Sequence, residues 1–167
     1  MQVLGLPGRN PATFEWLTAL LGAINFGDAN ITVQRYECWS APGSELDLAL
    51  EARRATETGP ELIVAKSIGT TVALALDLAS IAATKLVFIG VPLHMYTASE
   101  METLNNLFNQ GLLLIIQQTS DPAGSANDIR SVVSRPELIA EVPGNDHDYF
   151  DLEILKSAIE DWIASGA

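Results

Sequence analysis

Two short stretches of the chain, Lys85-Leu-Val-Phe-Ile-Gly90 and Gly111-Leu-Leu-Leu-Ile-Ile116, are apolar at nearly every position. A strand with one wet face alternates polar and apolar residues, whereas a run without alternation needs cover on both faces, as in a parallel sheet flanked by helices. Four further segments, Val3 to Leu6, Ile31 to Tyr36, Leu62 to Val64 and Leu138 to Val142, join Leu86 to Ile89 and Leu112 to Gln117 as strand candidates. Longer stretches of helical periodicity follow each of them, the signature of alternating β and α layers. The expected fold class is therefore α/β, a three-layer, doubly wound, mostly parallel sheet of six strands.

The first helix opens at Asn10-Pro11, an N-cap and a first-turn proline, and lines up Phe14, Leu17, Leu20, Leu21 and Ile24. The second is expected from near Ser44 to Thr58, ahead of Gly59-Pro60, and the third from near Ile68 to Ser80. Ser99 with Glu102 forms a capping-box pattern for the fourth, which ends near Gln110. A short fifth helix covers about Ala126 to Val133, and the sixth carries Leu152, Leu155, Ile159, Trp162 and Ile163 on one stripe. No repeat or linker divides residues 1–167, so one domain is expected.

Composition narrows the function. Nine basic against 21 acidic residues give a net charge of −12, which repels a phosphate backbone and argues against nucleic-acid binding. The lone Cys38 can form no internal disulfide and is too little for a structural zinc site. Thr70 to Leu93 is interrupted by Asp77, Lys85, Gly90 and Pro92, so no membrane span is expected, and no basic leader precedes the first strand. A soluble, cytoplasmic protein is the expectation.

In a doubly wound sheet, ligands bind at the carboxyl ends of the strands. Three loops there carry reactive groups. Ala65-Lys66-Ser67-Ile68-Gly69 is a tight strand-to-helix turn with small residues on either side of a serine, at a helix N-terminus that favours negative charge. Asp121, before Pro122, follows the fifth strand, and His147, in Pro143-Gly-Asn-Asp-His147, follows the sixth. Serine needs an imidazole to take its proton, and the imidazole needs a carboxylate to fix its tautomer. Nucleophile, acid and base in that chain order, each after its own strand, form a more specific signal than any one alone.

On these motifs the chain resembles the α/β-hydrolase superfamily, in particular its small members without a lid, over nearly its whole length. Ala65-Lys66-Ser67-Ile68-Gly69 resembles the G-x-S-x-G nucleophile elbow, with alanine for the first glycine. Asp121-Pro122 is similar to the acid loop, with Gln118 where glycine is common, and Pro143 to His147 is similar to the histidine loop. Gly5-Leu6-Pro7-Gly8-Arg9 resembles the oxyanion loop without its usual histidine. The resemblance implies strand order 2-1-3-4-5-6 and a serine hydrolase that cleaves an ester, thioester or related acyl bond. Ser67, Asp121 and His147 would be catalytic, and the backbone N–H groups of Leu6 and Ile68 would form the oxyanion hole. Pro7, Arg9, Lys66, Trp39 and His94 would border a small acyl substrate. No cofactor or metal is implied. The segment from Val91 to Gly111 is too short for a cap domain, so the site should be open.

Other readings of the same residues stand beside this one. Ser67 could be only a helix cap, Asp128 is the alternative acid, and His94 the alternative base. Lys66 would ordinarily be solvated or paired with a carboxylate. A binding protein that keeps the fold without turnover, or a flavodoxin-like ligand binder, would share the architecture; the latter is disfavoured because no glycine-rich phosphate loop is present.

Overall fold

The computed structural model describes residues 1–40, 43–76 and 84–166. Six strands form one parallel sheet: β1 (Gln2–Leu6), β2 (Asn30–Val33), β3 (Leu62–Lys66), β4 (Lys85–Ile89), β5 (Leu113–Gln118) and β6 (Ile139–Val142). Their order is β2-β1-β3-β4-β5-β6, as the resemblance implies. Among the described residues the helices are α1 (Ala12–Ala23), α2 (Leu48–Glu57), α3 (Ile68–Leu74), α4 (Ala98–Asn109), α5 (Ala126–Val132) and α6 (Leu152–Ala164).

The two-residue period of a strand sorts the apolar runs into two cores. Val3, Leu62, Val64, Val87, Ile89, Leu114 and Ile116 face α1 and α6, where they meet Leu17, Leu20, Leu155 and Ile159. Their neighbours Leu4, Ile63, Leu86, Phe88, Leu113 and Ile115 face the opposite layer and pack with Ala52, Val72, Leu104, Phe108 and Ile129 of α2 to α5. Both faces of the central strands are thus dry, which explains the missing alternation.

Some boundaries differ from expectation. Strand β2 stops at Val33 instead of reaching Tyr36, because the chain turns inward there. Buried Gln34 donates to the Glu51 backbone oxygen (3.0 Å) and carboxylate (2.7 Å), and the Tyr36 hydroxyl donates to the Pro7 carbonyl at 2.7 Å. Helix α2 begins at Leu48, later than Ser44, because the Asp47 carboxylate caps it through the Leu50 N–H at 3.0 Å. The fourth helix uses an overlapping capping box, Thr97 with Glu100, so Ser99 lies inside α4 and is not its cap. Asp77 to Ser80, expected at the end of the third helix, lie outside the described residues.

Strand β1 feeds α1 on one face and β3 feeds α3 on the other, so the crevice opens between the ends of β1 and β3, where Leu6 pairs with Ala65. Gly69 makes that closeness feasible: a Cβ there would overlap the Leu6 carbonyl oxygen and lie 2.7 Å from that of Pro7. Backbone cannot retreat as a flexible side chain can. Gly69→Ala is expected to destabilise the protein by about 3 kcal/mol through overpacking. Gly22→Ala, in an open stretch of α1, should stabilise it by about 0.5 kcal/mol by helix propensity. Urea denaturation of the two variants beside wild type checks both signs.

Candidate active site

Ser67 stands between β3 and α3 with φ 53° and ψ −122°, a strained conformation for a residue with a side chain. No capping bond from its hydroxyl to the helix is present; the hydroxyl lies 2.9 Å from His147 Nε2. On the other edge of the ring, His147 Nδ1 lies 2.8 Å from both carboxylate oxygens of Asp121. The tautomer is set by this arrangement: the carboxylate can only accept, so Nδ1 carries a proton and Nε2 is free to accept from the serine.

Asp121 is buried, and burial alone would raise its pKa. Hydrogen bonds from His147, from the Ala123 N–H at 2.8 Å and from the Tyr149 hydroxyl at 2.7 Å outweigh that, so the carboxyl is held below its ordinary value. Tyr149 in turn accepts from the Gln118 N–H at 2.9 Å. Burial, together with its carboxylate neighbour, keeps this phenol protonated and able to donate.

The histidine loop itself is tied down on several sides. Gln118 Oε1 accepts from the N–H groups of Asp146 (3.1 Å) and His147 (3.0 Å), while its Nε2 donates to Asp146 Oδ1 at 2.8 Å. Trp16 Nε1 donates to the Tyr149 carbonyl at 3.1 Å. Lys66, only 3% exposed, donates to the His147 carbonyl at 2.8 Å and lies 4.8 Å from the centre of the Tyr149 ring. Buried as it is, it is not solvated, and among the described residues no carboxylate accepts from it, in contrast to the arrangements expected of a lysine here. Burial pushes its amine down to about 8, against the opposite pull of Asp121, Asp148 and Asp146.

A cavity of about 360 Å³ opens over Ser67 and His147, with Arg9, Thr13, Trp16, Lys66 and Phe150 among its walls. A smaller one of about 210 Å³ lies against Ile68, bounded by Arg9, Glu45, Leu46 and Leu48. Arg9 lines both cavities and Lys66 the larger one. Three other expected neighbours do not line either cavity. Pro7 is buried, with its carbonyl bound to Tyr36. Trp39 donates through Nε1 to the Arg9 carbonyl at 2.9 Å and so braces the loop from behind. His94 is exposed in a helical turn after β4. Asp128, the alternative acid, is occupied by the capping box of α5 with Ser125.

The two backbone N–H groups expected to form an oxyanion hole differ in their surroundings. Ile68 is the first residue of α3, so its N–H has no acceptor in the helical ladder. Leu6 does not offer its own. The Gly5 carbonyl accepts from Gln34 of the strand-β2 extension, and alternate residues of a strand face opposite neighbours, so Leu6 directs its N–H into the pairing with β3. Gly8 lines the larger cavity, and a Cβ there would lie 3.6 Å from Ser67 Cβ, so the backbone at Gly8 runs beside the serine. Tyr149 and the pinning role of Gln118 escape a reading of the sequence; the glutamine in place of a common glycine is the one visible signal.

No family description and no curated protein sequence matches the chain. Solved structures do. A candidate hydrolase of the α/β superfamily from Xanthomonas campestris pv. campestris superposes with a TM-score of 0.63 at 17% identity, covering 98% of this chain and 98% of the other. An esterase domain of a Rhodothermus marinus protein superposes with a TM-score of 0.61 at 13% identity, covering 98% of this chain and 85% of the other. The chain thus shares the fold of α/β-hydrolase structures over nearly its whole length.

Because folding favours ionised Asp121, its contribution to stability is present above the ordinary carboxylate pKa of ~3.9 and disappears as pH falls through the lowered native value. The stability gap between wild type and Asp121→Asn should therefore shrink below about pH 4. Denaturant titrations from pH 3 to 6 measure that gap.

Proposed function

We propose that the protein is a serine hydrolase that cleaves an ester, thioester or related acyl bond. The observation that carries this reading is the unbroken relay from Asp121 through His147 to the Ser67 hydroxyl, with gaps of 2.8 and 2.9 Å. Ser67 Oγ attacks the acyl carbon as His147 Nε2 takes its proton, and the carbonyl electron pair moves onto oxygen, facing the N–H groups of Ile68 and Gly8. Collapse breaks the bond to the leaving group, which receives the proton from Nε2. Water then repeats the sequence on the acyl-enzyme and frees Ser67. A protein that only binds has no use for a strained serine hydrogen-bonded to an imidazole, and this favours turnover over the non-catalytic alternative.

The proton geometry also orients the substrate. A leaving group must lie on the imidazole side, which assigns it to the larger cavity beside Trp16 and Phe150. The acyl group then rests on the Ile68 side, where about 210 Å³ suits a short chain against Leu46 and Leu48.

A fluorophosphonate probe tests the nucleophile without knowledge of the substrate. Intact mass should show one adduct on wild type and none on Ser67→Ala or His147→Ala; an unlabelled, folded wild type would sink the reading. On an ester that the enzyme turns over, Asp121→Asn should lower kcat by about 10⁴, as loss of the correct tautomer does elsewhere. Phe150→Ala should weaken kcat/KM for aryl esters about fivefold and leave methyl esters nearly unchanged, in line with ~1 kcal/mol for an aromatic contact.

A further inference from the structure

Lys66 is a buried charge beside the relay whose place the relay does not explain. It lies in β3 with Leu62 and Val64 on the face toward α1 and α6, a position that an apolar residue would fill at no electrostatic cost. Its side chain runs instead to the carboxyl edge of the sheet and ends beneath the histidine loop. Gly90, after β4, is what leaves room there: a Cβ on it would lie 2.8 Å from Tyr149 Cε2, 3.0 Å from Lys66 Nζ and 3.2 Å from His147 Cε1. Amine, phenol ring and imidazole therefore converge on one slot.

The loop that they serve is unusual in its backbone. His147 has φ 67° and Tyr149 φ 61°, both in the left-handed region that side chains disfavour. Such a conformation persists only when its surroundings over-determine it. The peptide before His147 is held by its N–H on Gln118 Oε1, and the peptide after it by its C=O on Lys66 Nζ. With both flanking peptides fixed, the Cα–Cβ bond of His147 is fixed, and the contacts of its ring with Asp121 and Ser67 complete the orientation.

We infer that Lys66 is a positioning residue: by clasping the His147 carbonyl and the Tyr149 ring it holds the left-handed turn that aims the imidazole at Ser67. The inference rests on the proposed hydrolase reading, and it assigns the lysine a role distinct from substrate contact although its side chain lines the larger cavity. Either protonation state of the amine donates the N–H that the carbonyl needs.

Lys66→Met keeps the length and removes the donor. On a chromogenic acetate ester, kcat should fall about 100-fold, as expected of a small misplacement of a catalytic group, with KM changed less than twofold. The low-field proton resonance of His147 Nδ1–H against Asp121 should shift or broaden beyond detection, a response that loss of a substrate contact would not produce. An unchanged kcat with a raised KM, or an unaltered resonance, would overturn the inference and make Lys66 a binding residue. Should Lys66→Met fail to fold, Lys66→Gln, shorter and uncharged, replaces it under the same criteria. Failure of the hydrolase reading appears separately as an unlabelled wild type in the fluorophosphonate experiment. The proton resonance still decides the positioning role in that case, because it needs only the His147–Asp121 pair.

Discussion

The close approach of β1 and β3 at their carboxyl ends is the constraint from which the site follows. Leu6 pairs with Ala65, and the next residues diverge, one chain toward α1 and the other into α3. A side chain at position 69 would push the two backbones apart, so glycine there sets the width of the crevice. Ser67 is consequently lifted over the sheet in a conformation that the flanking strand and helix impose, and its hydroxyl faces outward from the junction. The strain is local, whereas the packing that holds it belongs to both layers.

Around that junction the protein buries polar groups where most folds would place apolar ones. Asp121, Gln117, Gln118, Lys66 and Thr70 are all buried near the strand ends. Each has partners: Gln117 accepts from the Val91 N–H at 2.8 Å, and Thr70 accepts from the Tyr96 hydroxyl at 2.6 Å. Buried polar groups without partners would be destabilising, and a satisfied network instead holds each loop in one arrangement. The loops after β3, β5 and β6 are thereby joined to one another by side-chain hydrogen bonds.

Much of this is legible in the amino-acid sequence. Ser67, Asp121 and His147 stand out because each reactive residue follows a recognisable strand, and the order of strands needs only the apolar runs and the resemblance. What escapes the sequence depends on where long side chains end. Lys66 reads as a surface lysine because its chemistry says so, and only the two-residue period of β3 together with the gap at Gly90 buries it. Tyr149 carries no motif; its hydroxyl matters because the chain folds back to bring it under Asp121. The capping box of α4 is ambiguous in kind, since Thr97-Ala-Ser-Glu100 and Ser99-Glu-Met-Glu102 satisfy the same pattern two residues apart. Trp39 and Pro7 sit in the right loops but turn their polar atoms inward, away from the cavity.

The two cores divide the relay between them. Helix α3, which begins immediately after Ser67, packs in the layer of α2 and α4, whereas Tyr149, beside His147, packs in the layer of α1 and α6. The sheet between them keeps the two halves in register. Folded proteins open locally in cooperative units, with free energies below that of global unfolding. Under the proposed hydrolase reading, turnover would vanish whenever a unit beside Ser67 or beside His147 opened, while most of the secondary structure stayed intact. On that reading, catalytic output would gauge cooperation between the layers, more sensitive to local loosening than any spectroscopic average over the chain.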